Sequence, residues 1–393
     1  MQFTNTEKKR NDIVSVAYNC RHFRGDRPCQ PHKQNGIKCD VCEFYDPVRE
    51  QILIVKLSAD GDVLRTTCLL PSLKEAYPQA VITWITESSA EPLLKNHPLI
   101  DRIWTLPERF MAPLMVEMFD LVINVDTDAR SCCLAALAKS HEKRGFVAGE
   151  KGEILPLSEA AREWFLMGIR DDLKKANRRS YPEIIYEIAG LNGYIHGPEL
   201  YLEPREIEHA KQHLIYCGWR PEVSRPVVGL NTGAGSRWPR KALPLGTLEK
   251  VIAGLLEIRP PVDVFLLGGP EEAEKNSYLT QLFSGLIVDT KTDNPKRLFA
   301  AIFSHVDVLV TADTLALHIA IALDKYVVAH FGPTSYQEID TRNKGECILP
   351  KIDCICCYQT DCSCNPACNE LISPSDLLVA VKRGLSRCTV GSI

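Results

Sequence analysis

The chain has 393 residues, enough for two α/β domains of ordinary size, and a formal charge of −4 at pH 7 that leaves no electrostatic case for general nucleic-acid binding. No run reaches the apolar length of a membrane-spanning helix, and the polar opening MQFTNTEKKRND lacks the apolar centre of a signal peptide. A cytoplasmic protein is therefore expected.

The first segment, 1–48, is a cysteine-rich leader with Cys20, Cys29, Cys39 and Cys42 in a Cys-x8-Cys-x9-Cys-x2-Cys pattern. In a reducing compartment such clustering points to metal ligation more than to disulfides. Little apolar content is available to fold this leader by itself, which favours a structural zinc, with His22 and His32 as alternative ligands. An iron–sulfur centre on the same thiols is the less favoured reading.

Strands and helices alternate from there. Strands are expected at 51–57, 80–86, 101–106 and 120–125, helices at 63–76, 89–96 and 129–139, and an extended stretch at 144–147. The middle reads differently, as helices 158–167, 173–190 and 205–217. Two prolines and no clear period at 220–226 mark the linker. Alternation then resumes with strands 227–231, 263–267, 286–289, 306–311 and 326–331 and helices 245–257, 271–283, 295–304 and 315–323. The fold class is α/β: two Rossmann-like domains, 49–219 and 220–393, facing a central cleft. The second carries a cysteine-rich loop, 347–368. Cys354, Cys357, Cys362 and Cys368 are its preferred ligand quartet, with zinc, disulfide and free-thiol readings left open.

Four strand-end loops carry the candidate chemistry, because ligands of open α/β sheets bind at that edge. Lys56–Val63 places Asp62 at a helix start, where a carboxylate caps the helix or, facing the cleft, acts as a general base; Asp60 competes for either role. The loop at 231–241 offers Thr232, Gly233 and Ser236 to an anion through its small residues, with Arg237 and Lys241 for charge. It also reads as a polar surface turn. Gly268-Gly269-Pro270-Glu271 places Glu271 where an acid either binds a ribose diol or decorates a helix start. Asp313, Thr314, Leu315 and His318 open the helix after strand 306–311. A lone histidine on an apolar helix is usually a core residue, but its link to Asp313 and Thr314 at a strand end points to ligand contact.

The segments ILIVKLSADGDVL, NTGAGSRWP, LLGGPEE and TADTLALHIAIALDKYVVAHFGPT, in that order, resemble glycosyltransferase family 9, the ADP-heptose:lipopolysaccharide heptosyltransferases. The resemblance implies a GT-B fold, an acceptor bound by the first domain and a nucleotide sugar bound by the second. It implies an inverting transfer with Asp62 as base, Asp60 and Arg65 near the acceptor, and the donor held by Thr232, Gly233, Ser236, Arg237, Lys241, Glu271, Asp313, Thr314, Leu315 and His318. The implied partners are a nucleotide-sugar donor and a lipid-linked or core-oligosaccharide acceptor, with peripheral contact at the cytoplasmic face of the inner membrane and no cofactor required. Three positions depart from the family pattern. Ser236 stands for a lysine, Leu315 for a glycine and Arg65 for a histidine. Leu315 would crowd a sugar approaching the helix N-terminus, which keeps another nucleotide sugar in play. The cysteines keep a weakly catalytic metal-binding scaffold in play. A generic NAD-dependent enzyme is disfavoured, since no Gly-x-Gly-x-x-Gly follows the first strand.

Overall fold

The computed structural model describes residues 16–107, 110–235 and 238–390. The polar opening segment, Ser236 and Arg237 lie outside these residues.

The first sheet contains β1 (Gln51–Val55), β2 (Val81–Glu87), β3 (Arg102–Leu106), β4 (Met118–Asn124), β5 (Lys139–Ala148) and β6 (Ile154–Pro156). Its order is β3-β2-β1-β4-β5-β6, parallel except where β6 runs against β5. The second contains β7 (Val227–Asn231), β8 (Asp263–Leu267), β9 (Val288–Asp289), β10 (Val308–Ala312), β11 (Tyr326–His330) and β12 (Gly345–Ile348). It is parallel throughout, in the order β12-β11-β10-β7-β8-β9. Each sheet thus follows the doubly wound order, which reverses direction beside its first strand. A crevice opens at that switch point, between β1 and β4 in one domain and β7 and β10 in the other.

Helices cover both faces of each sheet, which is why the inner strands are apolar without alternation. Ile52, Leu53, Ile54 and Val55 are all fully buried, on opposite faces of β1. The helix Pro204–Tyr216 precedes the linker in the chain, yet Ala210 and Leu214 join the apolar cluster of the second sheet. The leader is tied to the first domain by Arg21, which pairs with Asp101 and donates to Asp46 at 3.0 Å and to the Ala80 carbonyl at 3.1 Å.

Several expected elements are divided or extended. The helix expected at 63–76 is two, Asp60–Thr66 and Leu69–Ala76. At the break, the Thr67 hydroxyl donates to the Leu64 carbonyl at 2.7 Å and accepts from Glu199 N at 2.9 Å. Starting at Asp60, the first helix carries Asp60, Gly61 and Asp62 in its opening turn. The helix expected at 173–190 divides into Asp171–Ala176 and Tyr181–Ile188; a capping box between Ser180 and Glu183 starts the second. The edge strands β6 and β12 are short and lack a period that sequence could display.

Candidate functional site

The strand ends of both domains converge on the cleft. Beside β1, Lys56 is almost fully buried, with its ammonium on Asp126 after β4 at 2.8 Å and on the Ser58 carbonyl at 2.7 Å. Asp126 also accepts from Leu57 N at 3.0 Å. This pairing across the switch point shapes the loop that delivers Asp62.

Asp62 faces a cavity of about 380 Å³ shared with Arg65, Lys241, Asp313, His318 and Glu338. Its Oδ1 lies 2.8 Å from Arg65 Nη2. Burial would raise the Asp62 carboxyl, but the charges of Arg65 and Lys56 hold it down at about 2. Arg65 also reaches Glu338 at 3.6 Å and stacks on Tyr181, 3.6 Å from the ring centroid. Burial raises the Glu338 carboxyl against the pull of Arg65.

On the opposite wall, Lys241 donates to Asp313 Oδ2 at 2.7 Å and to its carbonyl at 2.8 Å. Thr334 donates to the same carboxylate at 2.9 Å. Burial would raise Asp313, and Lys241 beside it brings it below the ordinary carboxylate value. His318 is buried, 3.9 Å from Asp313 Oδ1, and burial together with Arg65 pushes its imidazole down to about 4. It is neutral at pH 7.

A second cavity, about 600 Å³, adjoins the first and is built almost wholly by the second domain. Gly233, Gly268 and Gly269 form its floor, Glu271, Thr292 and Phe299 part of its wall. Ala234, Thr314 and Leu315 line both cavities, so the N-terminus of the helix Leu315–Ala322 stands where the two meet. Asn231 holds that junction, donating to Thr311 at 3.0 Å, to Thr314 at 3.3 Å and to the Gly233 carbonyl at 3.0 Å.

The structure brings together Asp62, Arg65, Lys241, Asp313, Thr314, Leu315 and His318, and places Gly233 and Glu271 on the adjoining cavity. It places others elsewhere. Thr232 is buried beneath its loop, with its hydroxyl on Asn276 at 2.5 Å and the Leu267 carbonyl at 3.2 Å, so it shapes the loop from below. Asp60 turns from the Asp62 cavity to an ion pair with Lys296 of the second domain and accepts from Ser89 at 3.1 Å. Ser236 and Arg237 lie outside the described residues.

Sequence reasoning missed four contributors. Glu272 accepts from Gly269 N at 2.9 Å, and its carboxylate lies against Gly233, where a Cβ would stand 2.1 Å from Glu272 Cδ. Lys296 reaches the nucleotide-sized cavity from an ordinary helix start. Glu338 and Tyr358 line the Asp62 cavity from loops without a motif. Tyr358 belongs to the cysteine-rich loop, which is pinned beside the site by Tyr358 N on the Pro333 carbonyl at 2.8 Å and Cys356 Sγ on the Thr334 carbonyl at 3.4 Å.

The proposed cysteine quartet of that loop is not assembled. Cys354 Sγ stands 3.7 Å from Cys364, and Cys368 packs against Gly332, where a Cβ would lie 2.7 Å from its sulfur. Among the described residues, no group of three or more His, Cys, Asp or Glu side chains is arranged to hold a metal ion, in the leader or in this loop. Among the same residues, no helix is long and apolar enough to cross a membrane.

Two doubly wound domains with facing switch points, a half-buried carboxylate on one side and a helix N-terminus on the other, define a GT-B fold. The family model for glycosyltransferase family 9 (heptosyltransferase) matches residues 108–367, and the chain belongs to that family. Lipopolysaccharide heptosyltransferase 2 of Salmonella typhimurium is 23% identical over 317 residues, which cover 72% of this chain and 83% of that protein. A shorter match, 39% over 57 residues, spans 14% of this chain and 17% of lipopolysaccharide heptosyltransferase 1 of Campylobacter coli. The solved structure of E. coli ADP-heptose LPS heptosyltransferase II superimposes with a TM-score of 0.63 at 18% identity, over 86% of this chain and 99% of that one.

Proposed function

We propose that the protein is an inverting glycosyltransferase that moves a heptose, or a related sugar, from an ADP-sugar to a lipopolysaccharide-core acceptor. One observation carries the reading. The cavity holding Asp62 and the cavity of nucleotide size share Ala234, Thr314 and Leu315, so a sugar leaving the second is presented to the carboxylate in the first. The names of the relatives supply the sugar and the acceptor class.

In the proposed step the acceptor hydroxyl attacks the anomeric carbon from the face opposite the diphosphate and gives its proton to Asp62. The bond from that carbon to the diphosphate oxygen breaks, and ADP leaves with the electron pair. The growing negative charge faces Lys241, Lys296 and the N-terminus of the helix Leu315–Ala322. These groups stabilise it without a divalent ion in the step. Asp313 is negative and held by Lys241 and Thr334, which suits it to orienting this wall and meeting sugar hydroxyls rather than phosphate oxygens. Arg65 must release Asp62 as the acceptor arrives, and Glu338 beside it offers the alternative partner. Action at the cytoplasmic face of the inner membrane, on a lipid-linked acceptor, accords with this chemistry.

The test is transfer from ADP-heptose to a core acceptor, with the anomeric configuration of the product read by NMR. Asp62→Ala should lower turnover by about 10²–10⁴-fold while ADP still binds. Transfer near the unaltered rate would remove Asp62 as the base. Leu315 favours a second reading, a different sugar on the nucleotide. Thermal shifts with ADP, UDP and GDP sugars separate the two, since a ligand selective for the native state raises Tm.

A further inference from the structure

We propose that the leader carries a cubane-type iron–sulfur cluster held by Cys20, Cys29, Cys39 and Cys42. The four thiols come from separate local structures. Cys20 forms a β-bridge with Pro47, Cys29 precedes the helix Gln30–Asn35, and Cys39 and Cys42 sit at the two ends of a 3₁₀ turn. All four nevertheless line one cavity of about 220 Å³.

The leader needs such a centre to hold its shape. Pro31 is the only buried residue between positions 16 and 48, while Tyr18, Phe23, Val41, Phe44 and Tyr45 are all exposed. A segment that buries so little apolar surface cannot offset the entropy of ordering its backbone. Cross-linking four points of the chain through one inorganic centre supplies what a core would otherwise supply.

The arrangement of the thiols selects the type of centre. A zinc ion binds sulfur at about 2.3 Å, so its four thiolates must lie within roughly 4 Å of one another. Among the described residues no group of three or more His, Cys, Asp or Glu side chains is arranged to hold a single ion, although all four cysteines line the cavity. In a cubane each thiolate binds its own iron and sulfides fill the middle, so the thiolates stand farther apart around a volume. Arg24 and Arg27 line the same cavity; Arg27 is paired with Asp26, and the charge of Arg24 opposes the negative charge of a thiolate-bound cluster. The centre is separate from the transfer site, and its existence does not depend on the proposed activity. Through Arg21, next to Cys20, it would fix the leader on Asp101 and the Ala80 carbonyl of the first domain.

The experiment is iron, acid-labile sulfide and zinc analysis of the full chain, purified without oxygen and also after reconstitution with ferrous iron and sulfide. The expected result is about four irons and four sulfides per chain, with the broad visible absorption of thiolate-bound iron. Cys39→Ser/Cys42→Ser should lose both, and Cys354→Ser/Cys364→Ser should keep both. One zinc per chain without sulfide overturns the proposal. So does iron that survives in Cys39→Ser/Cys42→Ser, or the absence of sulfide after reconstitution. If the leader variant does not fold, the metal-to-sulfide ratio of the unaltered chain and its retention in Cys354→Ser/Cys364→Ser still decide.

Discussion

A Cβ on Gly61 would stand 2.5 Å from Cδ2 of His318, so the helix that carries Asp62 meets the helix that carries Leu315 with no room for a methyl group. The His318 ring is buried on the wall of the Asp62 cavity. This contact sets the distance between the two halves of the site.

Gly61→Ala tests it. Alanine is the better helix former by about 1 kcal/mol, so without the contact the change would stabilise the protein. With it, overpacking should cost roughly 1–3 kcal/mol and lower turnover more than ADP affinity, because the nucleotide-sized cavity belongs mainly to one domain. Chemical denaturation and ADP titration measure both terms. A stabilised, fully active variant would show that the domains do not close on this glycine.

Arg65 sits between two acids, Asp62 at 2.8 Å and Glu338 at 3.6 Å, and its own side chain is only 14% exposed. Arg65→Ala leaves Asp62 and the mostly buried Glu338 without the cation between them and should destabilise the protein by about 3 kcal/mol. Glu338→Gln in that background should recover part of the loss, since it removes the uncompensated charge. Additive losses in urea unfolding would mean that the two residues do not interact.

Leu315 lines both cavities at their junction. Leu315→Gly should widen the passage and lower KM for sugars bulkier than the natural one, with ADP affinity changed less than about threefold. The comparison is KM across a donor series against the Kd of ADP. Equal changes in both would place Leu315 on the nucleotide rather than on the sugar.

Burial holds His318 at about 4 in the folded chain, below the ordinary 6.5. The unfolded chain therefore takes up a proton that the folded chain refuses as pH falls below 6.5. Stability is full above that pH and declines until about pH 4, by roughly 3 kcal/mol for such a shift. His97, at about 4, and His330, at about 3, act in the same direction. Urea unfolding near pH 7 and near pH 5 should show the decline, with a shallower slope for His318→Gln. An unchanged slope would mean that His318 is not desolvated as described.

The local order of the chain was legible in its residues. Apolar runs without alternation gave parallel strands, and glycines with carboxylates at strand ends gave the loops that hold Asp62, Glu271, Asp313 and His318. Those signals work over a few residues, because turn conformation, helix capping and strand burial are short-range matters. The pairings across the cleft were not legible. Lys296 on Asp60, Glu338 on Arg65, and Lys174 over the Tyr358 ring join residues far apart in sequence, and no local rule relates them. Thr232 shows the opposite limit: its place in a glycine-rich loop suggested ligand contact, but the buried Asn276 amide claims its hydroxyl. The sequence by itself determined two doubly wound domains and the acids at their switch points. Only the tertiary structure decided which charges face one another, since an ion pair forms where packing of both domains brings the groups within reach and shields them from water.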